Sequence, residues 1–406
     1  MTATPTQAPS RPTRRRPGPF VPWRKALWVV FLVSVIAGSV GLVWRLVGGH
    51  LPAGYGSYVP WGLWIAIYFH GVGIGAGAFA VSAAGYLFRV PGFRTPRTLR
   101  IAAVLAAAAI LPALLAVGLD LGRMERAWQM FVIPSFTSML AFNSWTYVAL
   151  LGVCAVVWWL SYRPDRGWLR PVLVLGLLLA VMVPSQSGAF FGVVDAKPYW
   201  HTALLPILML VSALTAGAAT LMLVRGVVAD TAAAGGGPSD ETPAAIGLLR
   251  WIVLAGIGVY FFLEFAEVSI ALWNPQSDAP AVSLVLTGPY WWVFWLVHVA
   301  LGGVVAMALL VSRRPSLWVV AAALVAVAFL SSRLNLLVPG QAVGEIEGLQ
   351  EAYFHPRLDY IYNATLMEYL VALFILALGM AILFAGLRVS TVVESRISRK
   401  ERTDAP

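Results

Sequence analysis

Five ionisable side chains sit inside long apolar runs of this sequence: His70, Asp120, Glu264, Glu267 and His298. Taking a charge from water into hydrocarbon costs about 2.5 to 3.5 kcal/mol even on permissive scales, so residues of this kind line a cavity or a proton route. His70 lies roughly 14 Å along a helix axis from the aromatic edge at Trp61, at 1.5 Å per residue. By the same count Asp120 lies about 30 Å beyond Arg100, at the outer rim of a helix, with His70 below it on the neighbouring helix so that both could face one cavity. Arg123 pairs with Asp120 on one helix face if the helix continues that far; an interfacial ion pair that ends the helix is the structural alternative. Glu264 and Glu267 share a face at i, i+3 and repel each other when both are ionised, so one is expected to hold its proton, which suits a proton carrier. A carboxylic acid bonded to a neighbouring helix is the alternative there. His298 lies at about the depth of His70, and two imidazoles at one level could ligate a b-type haem; a histidine packed between helices is the other reading. Cys154 is the only cysteine, which leaves no set of thiolates for an iron–sulfur cluster or zinc finger and no attachment motif for haem, so any metal carriers of electrons sit elsewhere or are held by histidine. Gln186, Arg333, Asn335 and Glu368 lie nearer the outer edge, and His50, His201 and His355 fall in outer loops.

The elements that position these residues are membrane helices. The chain has 406 residues, 60% of them hydrophobic and only 11% charged, which excludes a soluble globular domain. A net charge of +10 would fit a nucleic-acid partner, but the basic residues fall in short clusters between apolar runs, as the positive-inside rule arranges them; the partner is a lipid bilayer and no nucleic acid is expected. Ten apolar segments, at about 26–47, 61–88, 100–121, 138–161, 171–192, 202–224, 248–272, 289–311, 316–337 and 364–387, are long enough to cross a bilayer. Most of the 28 Lys and Arg fall on one set of alternate loops, with Arg45, Arg123, Arg126, Lys197, Arg333 and Arg357 on the other, which places both termini in the cytoplasm. The expected fold is therefore all-α: a polytopic protein of the prokaryotic cytoplasmic membrane with a disordered basic tail at 1–25, a membrane domain at 26–388 and a basic tail at 389–406. The second helix carries a small-residue face, Gly71, Gly73, Gly75 and Gly77, that admits another helix or a flat ligand. GIGAGAF in the second helix and SALTAGAA in the sixth hint at a parallel repeat of two four-helix units, 61–192 and 202–337, flanked by the first and tenth helices, and the stretch 231–245 reads as a flexible linker. The outer loop 338–363 holds Glu345, Glu347, Glu351, His355, Arg357 and Asp359 and is a candidate docking surface.

Several stretches together resemble the NrfD/polysulfide reductase membrane-subunit family: PWGLWIAIYFHGVGIGAGAF, DLGRMERAW at 120–128, PSQSGAFF at 184–191, KPYWHTALLPILMLVSALTAGAA at 197–219 and SSRLN at 331–335. The ten-helix length is most similar to its branch with the membrane subunit of quinone-linked nickel–iron hydrogenases, and the resemblance covers nearly all of residues 25–388. It implies a subunit without its own metal that exchanges electrons between a menaquinone or ubiquinone pool and a ferredoxin-like iron–sulfur subunit docked on the extracytoplasmic side, which connects to a catalytic subunit, a molybdopterin enzyme or a hydrogenase. By position it implies His70 as partner of a quinone carbonyl, Asp120 as its proton partner with Arg123 beside it, and Gln186 and Ser187 in the pocket wall of the first unit. The chain departs from simpler members in carrying VVDAKPYW before the sixth helix.

Quinone reduction consumes two electrons and two protons, so such a pocket needs an apolar slot, a donor at each carbonyl and a route to water. Glu264, Glu267 and His298, buried in the second unit, are candidates for a separate proton path across the membrane. Two other readings stay open: a b-type cytochrome subunit ligating haem through His70 and His298, and a secondary transporter, against which stands the lack of Gly/Pro-broken half-helices in matching positions.

Overall fold

The computed structural model describes residues 21–133, 135–163, 167–233, 241–273, 279–346, 348–355 and 358–403. Residues 1–20 of the expected tail 1–25, the centre of the linker (234–240), Glu347 and Arg357 lie outside the described residues, and 21–25 are helical, not disordered. Ten helices among the described residues are long and apolar enough to cross a membrane: α1 Lys25–Gly48, α2 Leu63–Leu87, α3 Pro96–Asp120, α4 Met139–Leu160, α5 Leu169–Gly192, α6 Leu205–Val227, α7 Thr242–Trp273, α8 Val293–Val311, α9 Pro315–Ala342 and α10 Leu366–Ile397. No strand occurs among them, as lipid requires of a chain that must satisfy its backbone within each segment. The last helix does not stop at the membrane edge but runs through the basic tail to Thr403.

Packing is organised on α2, the most buried of the spans. Helices α2, α3, α4 and α5 pack in a closed ring, α6, α7, α8 and α9 in a second, and α2 against α6 joins the two. The small-residue face is two faces. A Cβ on Gly71 or Gly75 would meet Ala113 and Ile110 of α3, whereas one on Gly77 would lie 2.0 Å from the carbonyl oxygen of Ala213 on α6. Helices α1 and α10 pair with each other, Gly38 and Gly41 seated against the backbone of Phe374 and Leu370, and they leave most of α1 exposed, as a lipid-facing helix is.

Two helices of the second ring are irregular. Val293–Val305 of α8 is wound as a π-helix, a form concentrated at functional sites. Helix α9 is broken at Phe329 into Pro315–Ala328 and Leu330–Ala342, with neither Gly nor Pro at the break. Ser331 and Ser332 donate their hydroxyls to the carbonyls of Ala328 and Phe329, and His70 donates Nε2–H to the carbonyl of Ala326 (2.7 Å), so side chains serve the carbonyls around the interruption. The VVDAKPYW insertion forms the turn Pro198–Trp200. Its buried Trp200 stacks on Trp61 (centroids 6.0 Å apart) and donates Nε1–H to Leu336 O (2.9 Å), tying the start of α2 to α9.

Candidate functional site

Two cavities among the described residues lie toward the face opposite the termini, the distal face. The larger, about 310 Å³, is lined by His50, Tyr55, Gly56, Ser57, Pro60, Trp61, Asp120 and Gly122. Three pieces of chain build it: the loop after α1, the aromatic start of α2 and the last residue of α3. Helix α3 ends at Asp120 because Leu121 turns extended (φ −64°, ψ 134°) and Arg45 of α1 takes over its terminal carbonyl, donating Nε–H and Nη2–H to Leu119 O (3.0 and 2.7 Å). The carboxylate of Asp120 therefore projects from a helix end onto open space, and its Oδ1 is buried with no hydrogen-bond partner. Buried acceptors are nearly always satisfied in folded proteins, so an orphan on a cavity wall points to a ligand or solvent that completes it.

The smaller cavity, about 50 Å³, lies in the second ring between α6, α7, α8 and α9. Tyr199, Tyr260, Glu264, Glu267, Ser332, Arg333 and Asn335 supply its polar lining. His298 is fully buried behind it, 3.0 Å from Glu264 Oε2 through Nε2 and 3.0 Å from Ser331 Oγ through Nδ1. Ser331 spends its own hydrogen on Ala328 O and so accepts from His298, which places a hydrogen on Nδ1. One proton is then left for the Nε2–Oε2 contact, held either as imidazole with carboxylic acid or as imidazolium with carboxylate. Arg333, 4% exposed, donates to Ser212 Oγ (2.6 Å) and forms no ion pair among the described residues.

These positions correct several expectations. His70 and Asp120 do not share a cavity: His70 lines neither of the two, because it lies in helical phase with Gly73 and Gly77, the stripe turned to α6 and α9, while α3 packs on the Gly71 and Gly75 stripe. Arg123 does not pair with Asp120. The helix ends between them, and Arg123 is exposed. Gln186 and Ser187 line neither cavity; Thr146 donates to Gln186 Oε1 (3.0 Å), and Tyr68, Tyr147 and Ser187 form a hydroxyl chain inside the first ring (2.9 and 3.2 Å). Paired haem ligation by His70 and His298 does not fit, since both ring nitrogens of His298 are engaged by Glu264 and Ser331. Glu264, Glu267 and His298 do come together, the first two on one cavity wall and the third bonded to Glu264.

The residues that sequence reasoning missed are His50 and Tyr55, which the loop 49–62 folds onto Asp120. Their signal was modest: a histidine and a tyrosine five apart in a glycine-rich outer loop. Asn143 was also missed. It is 1% exposed near the start of α4, with both amide atoms unpartnered.

Comparison with known proteins bears on what such a site does. The family model described as polysulphide reductase, NrfD, matches residues 53–345. A selenate reductase subunit of Mesobacillus selenatarsenatis is 27% identical over 388 residues, 85% of this chain and 89% of that protein. The Hdr-like menaquinol oxidoreductase integral membrane subunit of Archaeoglobus fulgidus is 25% identical over 358 residues, 84% of this chain and 87% of its own length. Protein NrfD of Escherichia coli is 25% identical over 275 residues, 61% of this chain and 83% of the relative.

Proposed function

Because the chain belongs to the polysulphide reductase NrfD family and is a multi-pass integral protein of a prokaryotic cell membrane, we propose that it is the quinone-binding membrane subunit of a respiratory oxidoreductase, with its quinone site in the cavity of about 310 Å³ at the distal face. The observation that carries this reading is the buried, unpartnered Oδ1 of Asp120 on that wall. The volume falls in the range of small-molecule sites, about 300 to 1,000 Å³. Trp61 and Pro60 offer an apolar slot, Asp120 accepts a hydrogen bond or proton from a quinol hydroxyl, and the distal loops open a short route to water. A quinone bound there supplies two-electron, two-proton redox chemistry. The relationship to the Archaeoglobus protein, a menaquinol oxidoreductase subunit, supports the substrate class. Termini in the cytoplasm make the distal face extracytoplasmic. Exposed Ile346, Tyr353 and Phe354 beside Glu345, Glu351 and Asp359 then offer a mixed apolar and acidic surface for an iron–sulfur subunit that connects to a catalytic partner.

Asp120→Asn keeps the side chain's size and removes its capacity to take up a proton. Quinone-linked turnover of the intact complex should fall about a hundredfold or more, the lower end of what a positioned acid–base group contributes. Turnover with a soluble quinone at the level of the unaltered complex would take Asp120 out of the site.

The one-proton contact between His298 and Glu264 supports a second element, a proton path in the second ring that runs from Glu267 through Glu264 to His298. Glu264→Gln ends proton exchange at that contact while filling the same space. Electron transfer should continue with proton translocation reduced, read as acidification by inverted vesicles or proteoliposomes. Equal translocation by the variant removes the path.

A further inference from the structure

The loop that closes the quinone cavity carries a hydrogen-bond relay whose direction can be worked out atom by atom. Arg45 is 4% exposed, and its Nη2 lies 2.7 Å from His50 Nε2. A guanidinium donates and never accepts, so His50 Nε2 must be the acceptor and the ring hydrogen sits on Nδ1. The opposite tautomer, aiming Nε2–H at Leu121 O at 3.2 Å, would set two N–H groups against each other at 2.7 Å. His50 Nδ1 is 2.5 Å from the hydroxyl of Tyr55 and therefore donates to it. The Tyr55 oxygen takes that bond as acceptor, and its own hydrogen must point elsewhere.

Where it points follows from the cavity. Tyr55 and Asp120 belong to the same wall, and no described residue accepts the Tyr55 hydrogen. Asp120 Oδ1, the orphan acceptor, is not bonded to Tyr55, so open space separates a donor without an acceptor from an acceptor without a donor. The Tyr55 ring packs edge-on to Trp64 (centroids 5.8 Å apart), which fixes the hydroxyl in place. Burial, followed by the nearby Asp120 carboxylate, pushes the phenol above its ordinary range, so it stays a donor at any physiological pH. A ligand that fits has one oxygen that accepts and one hydroxyl that donates, or one oxygen that does both, as the carbonyl and hydroxyl forms of a quinone headgroup do.

We infer that Tyr55 is the hydrogen-bond donor to a ring oxygen of the quinone, opposite Asp120, and that Arg45 and His50 are positioning residues that turn the Tyr55 hydrogen into the cavity. The inference rests on the quinone reading of that cavity and assigns the donor role to Tyr55 instead of His70.

The test is binding of a non-reacting hydroxyquinoline N-oxide, followed by fluorescence quenching, to the purified complex in lipid nanodiscs. The unaltered protein should bind it, and Tyr55→Phe, which keeps the ring on Trp64, should weaken binding about three- to tenfold, the factor set by one neutral hydrogen bond. His50→Leu should weaken it as much, and the double variant no more than either alone, because both changes remove one interaction. His50→Asn, whose amide N–H stands near the position of Nδ1–H, should recover part of the loss; a merely structural histidine would show no such rescue. Unchanged affinity in Tyr55→Phe while the parent binds overturns the Tyr55 assignment and leaves the quinone cavity standing. Additive losses in the double variant remove His50 as the positioning group. A parent protein that does not bind the probe takes down the quinone reading itself.

Discussion

Gly77→Val should leave little or no assembled protein in the membrane. A Cβ at Gly77 would lie 2.0 Å from the carbonyl oxygen and 2.5 Å from the carbonyl carbon of Ala213, both backbone atoms of α6 that cannot rotate away. The reverse contact is as tight: a Cβ at Gly217 of α6 would lie 2.3 Å from the amide nitrogen of Ala78. Real Cβ contacts are essentially never below 3.0 Å, so α2 and α6 would have to part by more than an ångström. That seam joins the two helix rings, and parting it opens the packing on both sides at once. Ordinary overpacking of a core costs about 1 to 3 kcal/mol, with side chains giving way; here only backbone could give, which places the change beyond that range. Gly258→Val is the control, because a Cβ there meets nothing within 4 Å. Size-exclusion profiles of the solubilised chain should show a monodisperse peak for the control and none for Gly77→Val. Equal yields from the two would mean that the helices do not approach this closely.

The same glycines show what the sequence could reveal and what it could not. Span positions were legible because a bilayer demands a long apolar run: the segment expected at 138–161 is Met139–Leu160, and that at 171–192 is Leu169–Gly192. A close approach along Gly71 to Gly77 was legible too, since only small residues permit it. Which neighbour takes which stripe was not, and His70 was placed opposite Asp120 for that reason, although its spacing to Gly73 and Gly77 ties it to their stripe. The break at Phe329 carries no Gly or Pro signal and emerges from tertiary bonds to Ser331, Ser332 and His70. Glu264 was legible as a buried acid. Its partner His298 stands 34 residues away on a π-helical turn that no local pattern announces. The Arg45–His50–Tyr55 relay was hidden because loop residues show no periodicity and their meaning depends on where the loop lands.

Glu368→Ala should destabilise the distal face by about 1 to 3 kcal/mol for each buried donor it leaves without an acceptor. Glu368 is 0% exposed at the start of α10 and accepts from Gly54 N–H (2.8 Å), Thr365 N–H (3.0 Å), Thr365 Oγ1 (3.2 Å) and the Tyr362 hydroxyl (2.5 Å). Tyr362 also accepts from Leu63 N–H (2.8 Å), so one carboxylate holds together the first turn of α2, the loop after α1 and the first turn of α10. Burial, and then the charge of Glu368, push the Tyr362 phenol well above its ordinary range, which keeps it a donor to the carboxylate. Alanine would leave buried donors facing a void, and it would free Gly54, the residue next to Tyr55. Thermal unfolding in detergent should shift to a clearly lower midpoint. Quinone-analogue affinity should fall further than in Tyr55→Phe, because the whole loop that carries the donor is released. Glu368→Gln separates charge from shape: its carbonyl still accepts while its amide meets donors, so it should fall between the parent and alanine. An unshifted midpoint in the alanine variant would mean that the loop is held in place without Glu368, and the coupling drawn between the α10 start and the cavity would not hold.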